Sequence, residues 1–287
     1  MVSYLIFFLR ASLVLTFFLI FSCKNEKWYK KEFSDEEKLK LSDQLLKGAW
    51  DNFYQGSVAE QLVLEQALEF NPENAAVWRA IGIPYLKRGM AIEADKYYKK
   101  AVEYDPLAWH GWRGYNYLYF YRDYERAIAD FNATDTLTLN STDYPQGQSV
   151  DYMRGLCYYG LNDDAVALKF FSKYIEEVTL EKDESWVDVY AFLYRGLTFE
   201  RLGNTETAIV DFNKALKYYP TFSDPFYHLS RIYNKRGDYK KAKEFIEEAK
   251  KFFKQGYYHQ RPYIEVQEQI YLVDIENLEK LIDESVK

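Results

Sequence analysis

Few side chains in this 287-residue sequence are arranged for bond-making chemistry. Its two cysteines, Cys23 and Cys157, rule out a disulfide framework and a multi-thiolate metal site. Three histidines, His110, His228 and His259, stand apart without metal-ligand spacing. No phosphate loop, nucleophile elbow, zinc-protease helix or dinucleotide fingerprint occurs. Cys157 lies between Leu156 and Tyr158 with no identifiable base, so it reads as a small buried hydrophobe. The acidic pairs Asp163-Asp164 and Glu176-Glu177 fall in turns and at helix ends, where they read as solvated charge. The expectation is a chain without catalytic residues, cofactor or metal.

Cys23 carries the clearest chemistry. Residues 4–9 and 11–21 are apolar, interrupted by Arg10, and Ser22 precedes the cysteine. A basic start, a short apolar run and a small residue at the cut point describe a secretory signal. The break at Arg10 leaves each run shorter than the roughly 20 residues a membrane span needs. Ile20-Phe21-Ser22-Cys23 resembles the lipobox of bacterial lipoproteins. The resemblance implies a signal peptide over 1–22 and a lipidated N-terminal Cys23. Lys24 follows where Asp would imply inner-membrane retention, so it implies the outer membrane, facing the periplasm or the outside. Residues 23–40, charged and poor in aliphatics, read as a tether.

Over the whole sequence the apolar fraction of 48% is too high for a disordered chain. A net charge of −7 gives no support to nucleic-acid binding. Aromatics reach 19%, an excess that the fold must absorb. A 34-residue period does so. Aligning 75–108, 189–222 and 223–256 places Trp78, Phe192 and Phe226 at the fourth position and Gly82, Gly196 and Ser230 at the eighth. Tyr85, Phe199 and Tyr233 take the eleventh, and Ala94, Ala208 and Ala242 the twentieth. Tyr98, Phe212 and Ile246 take the twenty-fourth, and Ala101, Ala215 and Ala249 the twenty-seventh. Small residues allow two helices to approach and large ones fill between them. Gly89, Gly203 and Gly237 mark the turns, and Pro106 and Pro220 the ends.

This pattern resembles the tetratricopeptide repeat (TPR). Looser units follow at 41–74 (Gly48, Leu64, Ala67, with Glu60 in place of Ala), 109–134 (Trp112, Tyr119, Ala127, Phe131) and 148–181 (Gly155, Tyr158, Ala167, Phe171). The turn of 109–134 is one residue short. The fold expected is all-α: a right-handed TPR superhelix of about six helix–turn–helix units over 41–256. Residues 257–287 are expected to supply a capping helix, amphipathic over 263–284 with Val266, Ile270, Val273, Leu278 and Leu281 on one face. Stretches 135–147 and 179–188 are insertions between units, on one edge of the solenoid. Pro84 inside a first helix should kink it.

The resemblance also implies that first helices line a concave groove, with contacts at the second, fifth, sixth, ninth, twelfth and thirteenth positions. On this chain those positions give Arg79 and Lys87, then Arg113, Tyr117 and Tyr121. The fourth unit contributes Tyr152, Met153 and Tyr159, and the fifth Tyr190, Tyr194 and Arg201. The sixth contributes Tyr227, His228, Arg231, Asn234 and Lys235. Arg offers forked donors for carboxylates and Tyr offers area at low entropic cost. A protein or peptide segment of acidic character is the expected partner. Some of these tyrosines have an alternative role packing between units, and the cations an alternative in pairing with second-helix acids. The two-carboxylate clamp of chaperone-docking TPR domains is absent, because Ile83 stands where its Asn would fall. The expected function is a lipid-anchored scaffold or adaptor of the bacterial envelope. The alternative is a glycan- or nutrient-binding surface lipoprotein using the aromatic groove.

Overall fold

The computed structural model describes residues 32–139 and 142–285. The expected signal segment 1–22, Cys23 and most of the expected tether lie outside these residues. Thirteen α-helices occur among the described residues, with one isolated bridge and no strand, so the expected all-α class of paired helices is what forms. No described helix is long and apolar enough to cross a membrane. The chain divides into two compact units, Met1–Asn74 and Ala75–Lys287.

The first unit holds α1 (Asp35–Asn52) and α2 (Val58–Phe70). Helix α1 starts within the stretch expected as tether, because Ser34 and Glu37 form a reciprocal capping box that satisfies its free N–H groups. Ala49, Leu64 and Ala67 are fully buried between the two helices. Glu60, standing where the repeat calls for Ala, is buried and accepts the N–H of Gly56. Its side chain closes the inter-helix turn instead of merely making room.

The second unit stacks five hairpins in series: α3 (Ala75–Lys87) with α4 (Ala91–Tyr104), α5 (Pro106–Asn116) with α6 (Tyr124–Leu137), α7 (Val150–Gly160) with α8 (Asp164–Glu181), α9 (Val189–Arg201) with α10 (Thr205–Tyr218), and α11 (Ser223–Lys235) with α12 (Tyr239–Lys254). Each second helix also packs on the next first helix. Asp123, Asp163 and Asp238 cap the second helices they precede. The turn residue is left-handed throughout: Gly89, Gly203 and Gly237 near φ +80°, Arg122 at 51° and Asn162 at 60°. The 109–134 unit is not short as expected: Gly114 and Phe131, which pack across it, stand one residue further apart than Gly82 and Tyr98 do in the preceding hairpin, and the extra residue is taken up by a π-helical stretch, Tyr117–Tyr121, continuing α5. Pro84 is buried inside α3, which runs through it to Lys87.

A ring sits where a Cβ would be. A Cβ added to Gly82, Gly114, Gly155 or Gly196 would lie 2.4, 2.6, 2.5 or 2.8 Å from Tyr98, Phe131, Phe171 or Phe212. For Gly82, Gly155 and Gly196 these are the eighth and twenty-fourth positions of one hairpin; in the 109–134 unit Gly114 takes the place expected for Asn116, two residues earlier than the expected register, and all four rings are fully buried. Each buried ring is worth about 1.5–3 kcal/mol. Ala94, Ala127, Ala167, Ala208 and Ala242 complete the close approach from the second helix. In the last hairpin Ser230 replaces the glycine and donates its hydroxyl to the carbonyl of Ala242 at 2.7 Å.

The C-terminal end departs from expectation. The helix expected over 263–284 forms only as α13 (Leu272–Ser285). Its buried face is Ile275, Leu278 and Ile282, packed with Ile246 and Ala249 of α12, while Val273 and Leu281 are exposed. Lys243 to Asp283 (2.7 Å) and Lys250 to Glu279 (2.6 Å) pin α13 to α12.

Gly196→Ala is expected to destabilise by about 1–3 kcal/mol through overpacking against Phe212. Gly48→Ala, where nothing lies within 4 Å, should be neutral or stabilising by up to about 1 kcal/mol. Thermal melts of the two variants check the contrast. His228 gives a second prediction. It is buried against Phe212, and neither ring nitrogen has a partner among the described residues. Burial, with Arg231 nearby, holds its pKa well below the ordinary value. The unfolded chain therefore takes up a proton below about pH 6.5 that the folded chain refuses, and stability falls with pH there. His228→Phe should remove up to about 1.4 kcal/mol per pH unit of that loss between pH 6.5 and 4.5. Denaturant melts at several pH values measure it; a variant-to-parent gap independent of pH would contradict it.

Candidate functional site

The faces of α3, α5, α7, α9 and α11 meet one common object, the chain's own segment 255–271 between α12 and α13. The segment enters at Tyr257, whose carbonyl accepts the N–H of Ser223 at 2.8 Å. His259 follows, its N–H donating to Asp224 at 3.0 Å and its ring stacked on Tyr190 at 3.9 Å between centroids. Burial lowers the His259 pKa to about 3 and raises that of Asp224 to about 7. Arg261 then donates to the Tyr115 hydroxyl at 2.9 Å and lies 4.1 Å over the Tyr119 ring.

The direction reverses at Pro262-Tyr263. Arg261 and Ile264 form an antiparallel bridge, and the tip ring of Tyr263 sits 5.5 Å from the Lys87 ammonium. On the return leg Arg122 donates to the Glu265 carbonyl at 2.9 Å and pairs with its carboxylate at 3.4 Å. The Gln267 side chain donates to the Leu156 carbonyl at 3.2 Å, and the Gln267 carbonyl accepts from Tyr194 at 2.7 Å. The Glu268 carboxylate accepts from Tyr159 at 2.9 Å and from Arg201 at 2.8 Å. Gln269 reaches across to the His259 carbonyl at 2.9 Å and staples the two legs. Val266 and Ile270 are buried, and the void left beneath the return leg is only about 10 Å³. The segment is thus an extended hairpin seated in the first-helix face.

Past Glu268 the face opens into a cleft of about 330 Å³ lined by Tyr159, Leu197, Glu200, Arg201, Arg231, Lys235 and Glu268. Three cations there face two carboxylates. Arg231 pairs with Glu200 at 2.8 Å, and Lys235 lies 3.6 Å from it. Arg201 also covers the Tyr159 ring at 3.5 Å.

Other residues expected in the groove take different places. Arg113 turns to its own second helix and forms a two-pronged pair with Asp130, 2.8 and 2.7 Å. Tyr117 is buried and donates to Asp95 at 2.7 Å, and Tyr121 donates to the Ala91 carbonyl at 2.8 Å. Arg79 stacks over Trp112 at 5.1 Å. Tyr152 and Met153 are buried, Tyr152 against Phe171 and Tyr174. These positions correct the reading of an open tyrosine-lined groove: such side chains fill space within and between hairpins. Tyr227 packs against the apolar cluster of α12 and α13, and Asn234 lies in the last turn of α11 and does not line the cleft. Lys87, Tyr159, Tyr190, Tyr194 and Arg201 are brought together by the hairpin.

Sequence reasoning missed His259, Arg261, Glu265, Gln267 and Glu268, and also Arg122. Pro262, which disfavours helix at the residue before it, was the available signal. The two insertions also meet. A cleft of about 390 Å³ lies between them, with Tyr144 on one side and the exposed Trp186 on the other. The 179–188 stretch is tied to α10 through Glu184, which pairs with Lys214 and accepts from Tyr218 at 2.8 Å. Cys157 is fully buried, and burial pushes its thiol pKa well up, the opposite of an activated nucleophile. Among the described residues no three His, Cys, Asp or Glu gather as a metal site.

Comparison with known proteins places this architecture. Residues 149–178 and 190–221 match one tetratricopeptide repeat family model and 212–244 another. No curated protein sequence matches the chain. Among solved structures, PilW, a widely conserved type IV pilus biogenesis factor, is similar at TM-score 0.55 and 16% identity, over 77% of this chain and 94% of its own. PilF of Pseudomonas aeruginosa is similar at TM-score 0.55 and 18% identity, over the same shares. The Cut9–Hcn1 assembly of the APC/C is similar at TM-score 0.53 and 11% identity, over 88% of this chain and 43% of that one. At these identities the likeness is one of fold, and such different proteins share it because the fold alone does not set function. Over residues 149–178 and 190–244 the chain carries tetratricopeptide repeats.

Proposed function

We propose that this chain is a scaffold that grips segments of partner proteins on its first-helix face, held at a bacterial envelope membrane by lipid on Cys23. The observation that supports the gripping role is the seated hairpin. An extended stretch of polypeptide is held there by side chains from successive repeats: two bonds reach its main-chain carbonyls, and two cations meet its carboxylates. Main-chain contacts give grip independent of sequence, and charge gives preference for acidic segments. The cleft with Arg201, Arg231 and Lys235 continues this basic character past the hairpin. Support for the anchor comes from the Ser22-Cys23 motif and the apolar run before it. Two acyl chains or more hold a protein stably at a membrane, where one does not. The likeness of fold to pilus biogenesis factors accords with an envelope role.

A crosslinked pull-down from intact envelopes tests both parts. Cys23→Ser should move the chain from the membrane to the soluble fraction. Arg201→Glu with Arg231→Glu should leave fractionation unchanged and cut partner recovery by about tenfold or more, the effect of losing ion pairs at a bound segment. Unchanged recovery in the double variant would contradict the basic-face reading.

A further inference from the structure

Helices α12 and α13 pack directly on each other, and antiparallel neighbours of this kind are normally joined by about two to eight residues. The 255–271 connection is far longer. It travels out across α11, α9, α7 and α5 to the end of α3 and then comes back, an excursion that joining the two helices does not require.

Its bonds differ along its length. At the base, His259 is buried and stacked, Ile270 is buried, and the Gln269 staple joins the legs. Toward the tip the ion pairs are solvated, Arg122 and Glu265 each about half exposed and Arg201 and Glu268 about one-third, and the apolar contact there is Val266, with Arg261 over Tyr119. Ion pairs of this kind contribute little net stability. The hairpin has a single backbone bridge of its own. Tyr263 and Glu268 both hold left-handed φ values, 69° and 53°. Non-glycine residues sit there at a cost and stay only while their surroundings hold them. The tip is therefore a ligand-like guest, and α13 keeps its own apolar face and ion pairs on α12 without it.

We propose that residues 260–268 are a displaceable internal ligand, and that the partner segment that replaces them is an extended peptide carrying two carboxylates three residues apart. The spacing is that of Glu265 and Glu268, which occupy Arg122 and the Tyr159–Arg201 pair. Lifting the tip frees those two cations and the Tyr194 hydroxyl together. An incoming Glu-x-x-Glu segment satisfies all three. Because the internal copy is tethered, it competes at high effective concentration, so the resting chain binds weakly and specifically. The inference rests on the proposed use of this face for partner segments and adds what they must displace.

The test uses the full chain and a fluorescent synthetic peptide with the sequence of residues 262–269. Glu265→Ala with Glu268→Ala weakens the tip and leaves the helices intact, checked by circular dichroism. The peptide should bind this double variant about tenfold tighter or more than the natural chain, by the open fraction gained. Adding Arg201→Glu should abolish the gain, and a peptide with both glutamates changed to lysine should not bind. Equal affinity for the natural and weakened chains, or no binding to the weakened chain, overturns the proposal. Envelope pull-downs separate it from the scaffold reading. Partners that require Arg201 but are recovered equally by natural and weakened chains would sink the internal ligand alone. Peptide binding that tightens as expected, with no envelope protein recovered by either chain, would sink the scaffold alone.

Discussion

The contact of a glycine Cα with an aromatic ring, made across four of its five hairpins, governs the second unit. Gly82 with Tyr98, Gly114 with Phe131, Gly155 with Phe171 and Gly196 with Phe212 set the spacing of four helical pairs. With no Cβ on one side, the ring presses against the opposite helix and is fully enclosed. The helices come close enough for the adjoining alanines to be buried as well. What remains apolar on each hairpin is covered by the next, so the stack is stabilised in series.

That spacing has consequences for the first-helix face. Rings used between helices are not available to a ligand, which is why Tyr117 and Tyr152 point into the packing. Arginines paired with buried acids behave alike. Arg113 and Arg195 each form a two-pronged pair with an acid of their own second helix, Asp130 and Asp211. Breaking such a pair strands a buried charge, so these cations are committed to structure. The cations left to face a ligand are those near helix ends: Lys87, Arg122 and Arg201 against the hairpin, and Arg231 and Lys235 in the cleft.

The repeats were legible because their period fixes both helix and packing. A small residue at the eighth position and a ring at the twenty-fourth have one mechanical meaning, and it held for Gly155 and Phe171 in an irregular unit, while in the 109–134 unit Gly114 took the place expected for Asn116. The C-terminal segment was not legible for an equally physical reason. Val266 and Ile270 are four apart, a spacing that puts two residues on one face of a helix and also on one face of an extended strand. Ile264 completes an alternation of period two, and Pro262 stands at its start, but neither outweighs a pattern that runs on into a true helix at Leu272. The same ambiguity hid Glu265 and Glu268, which read as the solvent side of a helix. Expected groove positions carried over by register found Tyr159, Tyr194 and Arg201. They could not separate these from Arg113, whose fate depends on Asp130 lying opposite.

The central claim is that the chain's own extended segment fills the face made by its first helices. His259 reports on this directly, since its ring is stacked on Tyr190 and its backbone is bonded to Asp224 only while the segment is seated. The most direct measurement is an NMR pH titration of its imidazole, assigned by loss of the signal in His259→Gln. A seated segment predicts no titration of this ring between pH 7.5 and 5, in keeping with a pKa lowered to about 3. A midpoint near the ordinary value of about 6.5 would show a solvated histidine and contradict the account.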